Sequence, residues 1–188
     1  MSANLRNYVK SLYAFDHVLS LTSDKALARK SPCVGWTGKD VVEHALGSVK
    51  MVHSFTTTGN GPRSTPKLAA DPLAQWAKLR DSTIEALDRP GALESIANEP
   101  FGPEFGSVPI DNLVGFMSAD LVVHAWDLAR TAKVDDRLDP ALCKATMAVW
   151  KSLPAEILRG PGMFGPAIKP DKGADVQTRL LNFLGRAT

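Results

Sequence analysis

Asp120, His124 and Asp127 are the residues best equipped for chemistry, and they share one apolar stretch, LVGFMSADLVVHAWDLARTA. A helix turns about 100° per residue, so with Leu113 at zero, Phe116 falls at about 300°, Met117 at about 40°, Leu128 at about 60° and Leu121 at about 80°. On the same scale Asp120 falls at about 340°, His124 at about 20° and Asp127 at about 320°, inside that apolar stripe. A carboxylate buried there is costly unless it is paired, hydrogen-bonded or bound to a metal. Asp120 and His124 project from adjacent turns of one face, a spacing that suits two ligands of one ion.

A second inward histidine comes from an earlier segment. Val41, His44, Ser48, Met51 and Phe55 follow the 3-4 spacing of a bundle seam, and the small Ser48 leaves room beside the imidazole of His44. His53 lies half a turn away from His44, and His17 falls off the apolar face of its own helix. The two are expected at the surface without a role.

Two inward histidines and one acid make three ligands, the usual count at a catalytic zinc site, with one position left for water or substrate. The same donors accept nickel or iron. A plainer reading competes. An inward histidine is often only a satisfied core residue, Asp127 can hydrogen-bond His124, and Asp120 can pair with Arg130 or Arg89. Cys143 shares an apolar helical pattern with Met147 and Trp150 and reads as core. Cys33, in SPCVGW, reads as structural rather than reactive, though either thiol could compete as a ligand.

These residues need helices to position them. Helices are expected from about Leu5 to Leu21, from a Thr37 cap with Asp40 to about Phe55, and from an Asp71 cap with Pro72 to about Arg89. Others are expected from an Asp111 or Asn112 cap to about Ala132, from an Asp139 cap with Pro140 to near Pro154, and from about Ala174 to Leu184. Residues 99–110 and 160–173 are rich in Gly and Pro and must be loops or extended segments. Residues 92–110 form either a short hairpin or a strap over the bundle. The expected fold is mainly all-α: a four-helix bundle with a long crossover and Gly/Pro-rich loops, in a single domain over residues 1–188.

Composition narrows the function classes. A net charge of +2 over 188 residues gives no electrostatic reason to bind nucleic acid. No apolar run is long enough to span a membrane. Arg6, Lys10 and Asp16 interrupt what would be the apolar part of a secretion signal. Two distant cysteines make no disulfide scaffold, so a cytoplasmic protein with reduced thiols is expected.

The same residues carry a family likeness. Cys33-Val34-Gly35-Trp36, followed by Asp40 to His44, resembles the opening motif of the DinB-like superfamily. The likeness is to the actinobacterial branch that includes the N-terminal domain of mycothiol-dependent maleylpyruvate isomerase. Asp120 to Ala129, with His124-Ala-Trp126-Asp127-Leu128-Ala129, resembles that branch's second signature. The ending MFGPAIKPDKGADVQTRLLNFLGR resembles the closing segment of its single-domain members.

The resemblance implies a DinB-like four-helix bundle holding a divalent metal, zinc first, on His44, Asp120 and His124. It also implies a low-molecular-weight thiol of the mycothiol type as cosubstrate, used for S-transfer to, or isomerisation of, a small electrophile. In the isomerase the acid is Glu, one methylene longer than Asp120, and a second domain helps to build the substrate site. In this reading Asp127 orients His124 through its other ring nitrogen. No residue is assigned as catalytic. The alternative is a non-catalytic metal- or ligand-binding bundle, or one in which Asp120 and His124 simply pair. Homodimerisation is left open.

Overall fold

A computed structural model describes residues 1–188. Four long helices form the bundle: α1 (Ala3–Ser20), α3 (Gly38–Thr58), α4 (Pro72–Leu87) and α5 (Ile110–Ala132). The remaining helices are α2 (Asp24–Leu27), α6 (Pro140–Lys151), α7 (Ala155–Leu158) and α8 (Val176–Phe183). The short α2 and α7 were not expected. A single turn carries too little hydrophobic periodicity to stand out from a loop.

Capping chemistry explains most of the boundaries. Ser2, Ser23, Asp71, Asp139 and Asp175 each accept a backbone N–H at the start of a helix. Thr37 and Asp40 form the reciprocal capping box of α3. The expected Asp111 or Asn112 cap of α5 is corrected: α5 begins at Ile110 after Pro109, with no side-chain cap. Asp111 instead accepts from Ser2 and Asn4 and ties the start of α1 to the start of α5.

The bundle closes as a ring in which α1 touches α5 and α4, and α3 touches the same two. Asn4 lies against Gly115 and Asp111, so α1 and α5 run parallel. Gly38 meets Thr131 while Ser48 meets Asp120, so α3 runs against α5. The long crossover is residues 59–71. It runs back along α3, with Lys50 donating to the Ser64 carbonyl, Thr65 beside Gly47, and Glu43 accepting from the Leu68 amide.

Residues 92–110 form a hairpin, as one of the two expected options had it. Its ladder is only two residues per strand, β1 (Ile96–Ala97) against β2 (Val108–Pro109), with a 3-10 turn at Pro103–Phe105 between them. The main core fills the ring, from Tyr8, Leu12 and Phe15 to Leu121 and Leu128. A smaller core lies on the other side of α5, where Ala119 and Val123 meet Cys143, Trp150, Leu158, Leu180 and Leu184. No helix is long and apolar enough to cross a membrane.

Candidate metal centre

The antiparallel pairing of α3 and α5 brings His44, Asp120 and His124 together. His44 Nε2 lies 3.2 Å from Asp120 Oδ2 and 3.4 Å from Oδ1, and His124 Nε2 lies 3.4 Å from Asp120 Oδ1. Ser48 Oγ donates to Asp120 Oδ2 at 2.8 Å. Ser48 therefore fixes the carboxylate as well as making room. Trp36 stacks on His124 with centroids 5.6 Å apart and leans on His44 at 5.0 Å. A tight turn delivers this Trp: its amide bonds the Cys33 carbonyl, and Gly35 takes a φ of 81° that a side chain would resist.

Bond lengths of roughly 2.0–2.1 Å at tetrahedral angles put neighbouring ligand atoms about 3.3 Å apart. The spacings of 3.2 and 3.4 Å fit a divalent cation between these donors. A direct charge-assisted bond would be tighter, at roughly 2.7–2.9 Å. Burial alone would raise the Asp120 carboxyl, but the charges of His124 and His44 outweigh it and hold the group well below the usual carboxylate range. The buried Tyr8 phenol on α1 has no hydrogen-bond partner in the protein. Burial, then the Asp120 charge, raise its pKa and keep its proton in place.

The other nitrogen of His124 faces a closed cluster. His124 Nδ1 lies 3.0 Å from Asp127 Oδ2, which makes it the donor to that carboxylate. Arg186 grips the same carboxylate with two prongs, Nε to Oδ1 and Nη2 to Oδ2, each 2.8 Å. The Cys33 thiol donates to Asp127 Oδ2 at 3.2 Å and its sulfur accepts from Arg186 Nη2 at 3.2 Å. Burial would raise Asp127 and lower His124. Arg186 and then His124 hold the Asp127 carboxyl well below its usual value, while Asp120 and then Asp127 raise the imidazole.

The three inward ligand candidates and Asp127 thus lie where helix geometry put them. His17 is exposed as expected. His53 is half-buried rather than at the surface, with Nδ1 enclosed and unpartnered. Neither expected arginine reaches Asp120: Arg130 pairs with Asp136, and Arg89 donates to the Ala86 and Thr56 carbonyls. Cys143 is core, and Cys33 belongs to the cluster behind His124.

Arg186 is the residue that sequence reasoning missed. Buried Asp127 called for a cation, but nothing in the residue order pointed to a position 59 residues away. Gly185, at φ 77°, reverses the chain after α8. The Gly185 amide bonds the Asn182 carbonyl and the Arg186 amide bonds that of Leu181, a Schellman closure that turns Arg186 inward.

Comparison with known proteins gives a consistent pattern. The family model described as the mycothiol maleylpyruvate isomerase N-terminal domain matches residues 11–129. Two uncharacterized proteins from two strains of Mycobacterium tuberculosis are each 29% identical over 175 residues, covering 92% of this chain and 92% of their own length. A crystal structure of a histidine-to-alanine mutant of the mycothiol-dependent maleylpyruvate isomerase is similar with a TM-score of 0.55. That match is 15% identical and covers 78% of this chain and 68% of the other, a likeness of fold.

Proposed function

The chain belongs to the mycothiol maleylpyruvate isomerase N-terminal domain family, and from that premise we propose that it is a metal-dependent enzyme that uses a low-molecular-weight thiol. The reaction is S-transfer to, or isomerisation of, a small electrophile. One observation carries the reading: two imidazole nitrogens lie 3.2–3.4 Å from one carboxylate, and all three ligand atoms lie within 4.8 Å of one another, close enough to share one divalent ion.

His44, Asp120 and His124 would bind the cation, zinc first, with nickel or iron accepted by the same donors. A divalent cation held there would supply Lewis-acid chemistry, bringing a bound thiol or water toward ionisation near neutrality. Ser48 orients Asp120 by donating to it. Asp127 orients His124 by accepting from Nδ1. Trp36 covers both imidazoles and sheds water from that side. The thiol is of the mycothiol type, by analogy with the isomerase relative, and the setting is the cytoplasm, where the two free cysteines stay reduced.

The second reading is a metal-binding bundle without catalysis. A structural metal site is closed, whereas a catalytic one keeps an open position. The His44 side chain is 39% exposed against 8% for His124, so one ligand borders solvent, which favours catalysis. The test joins metal analysis of the purified protein with a transferase screen using mycothiol and simple electrophiles. About one equivalent of zinc or a similar ion is expected, in line with a three-ligand site, and it should disappear in a His44→Ala/His124→Ala double variant. Unchanged metal content in that variant sinks the assignment. Metal binding without thiol-dependent turnover moves the protein to the second reading.

A further inference from the structure

We propose that Arg186 is a positioning residue for the metal centre: by locking the Asp127 carboxylate it fixes the ring orientation and Nδ1–H tautomer of His124, and so sets how tightly Nε2 holds a divalent cation. This rests on the metal-centre reading above. Arg186 lies outside the 11–129 segment that the family model matches.

A carboxylate on a short stem can swing about its last torsion, and an orienting residue that swings orients nothing. The two-pronged guanidinium removes that freedom. Nε occupies Oδ1 and Nη2 occupies Oδ2, so the carboxylate plane is set and Oδ2 is presented to His124 Nδ1. Arg186 is held in turn. Nη1 reaches the Leu184 carbonyl, the guanidinium carbon sits 5.3 Å from the centre of the Phe164 ring, and the Asn182 amide donates to the Arg186 carbonyl. The chain His124–Asp127–Arg186 is therefore rigid from α5 to the reversal after α8.

The same geometry argues against a second metal on Cys33, His124 Nδ1 and Asp127, although their ligand atoms cluster within 4.8 Å. The Arg186 guanidinium already supplies the positive charge there, touching both the Asp127 carboxylate and the Cys33 sulfur. The cluster behind His124 is support, and the cation belongs on the Nε2 side.

The test measures zinc affinity by competition with a chromophoric chelator for wild type, Arg186→Gln, Arg186→Lys, Asp127→Asn and the Asp127→Asn/Arg186→Gln double variant. Arg186→Gln should weaken zinc binding by about 10-fold to 100-fold, the usual cost of losing an outer partner. Arg186→Lys should fall between, because a point charge cannot reproduce the fork. In the Asp127→Asn background the second substitution should add no more than about twofold, since both act through one contact.

Long-range proton–nitrogen spectra of His124 supply a readout that mere loosening of the fold would not move. In the metal-free proteins, taken at a pH where the His124 ring is neutral, wild type should show a single Nδ1–H tautomer and Arg186→Gln a mixture; zinc on Nε2 would itself hold the proton on Nδ1 in either. A folded Arg186→Gln with zinc affinity within about twofold of wild type overturns the proposal, as does an undiminished effect in the Asp127→Asn background. If Arg186→Gln does not fold, Arg186→Lys carries the same comparison. A wild type that binds no zinc overturns the metal centre itself and takes this proposal with it.

Discussion

The two nitrogens of His124 open onto unlike surroundings. On the Nε2 side stand Asp120 and the half-buried His44, with spacings longer than direct ion pairing prefers. On the Nδ1 side stand Asp127, wholly buried, and Arg186, with bonds of 2.8 to 3.0 Å and few hydrogen-bonding options unused. The loose side suits a guest and the tight side suits a frame. Fully paired charges in the interior hold one geometry, whereas the more widely spaced nitrogens and carboxylate, with His44 bordering solvent, leave room to close on an ion.

The sharpest way to break this contrast is to remove one carboxylate from each side. Asp127→Ala strands the buried Arg186 charge and should cost about 3–5 kcal/mol of stability by urea unfolding. Asp120→Ala should abolish zinc binding and cost the metal-free protein about 1–3 kcal/mol for the Ser48 and imidazole groups left without their acceptor, less than Asp127→Ala costs. Equal stability losses in the two variants would erase the distinction.

Acid unfolding gives a smaller effect with a defined sign. The folded-state pKa of Asp127 is depressed, first by its Arg186 bonds and then by His124, against the effect of burial. Its contribution is complete above the unfolded carboxyl value of roughly 3.9 and is lost as pH falls through that value toward the lower folded one, where the unfolded chain binds the extra proton. Urea midpoints taken from about pH 6 down to about pH 3 should therefore fall more steeply in wild type than in Asp127→Asn. Parallel slopes would remove Asp127 from the acid transition.

The smallest change belongs to Cys33, which touches the frame from a half-buried loop. Cys33→Ser should alter stability by less than about 1 kcal/mol and leave zinc affinity unchanged in the chelator assay. A large loss of zinc would make Cys33 a ligand and merge the two sides.

Much of the Nε2 side was legible in the sequence. The helical period fixes Asp120, His124 and Asp127 to one stripe of α5, and the 3-4 spacing puts His44 and Ser48 on the seam of α3. The capping box at Thr37 and the Asp-Pro starts at Asp71 and Asp139 are local hydrogen-bond chemistry and were readable for the same reason. Asp111 shows where this stops. By type it is a good cap, but the neighbouring α1 offered Ser2 and Asn4 as partners and Pro109 began the helix instead.

Sequence by itself therefore determined the longer helices, their inward faces and the donor atoms available on them, because backbone periodicity and capping act over a few residues. Tertiary structure alone decided which helices run antiparallel, that residues 59–71 carry the crossover, and that Arg186 closes on Asp127 and Cys33. A buried carboxylate demands a cation wherever the chain can bring one, and only the packing of α8 against α6, with the reversal at Gly185, selects the residue that answers.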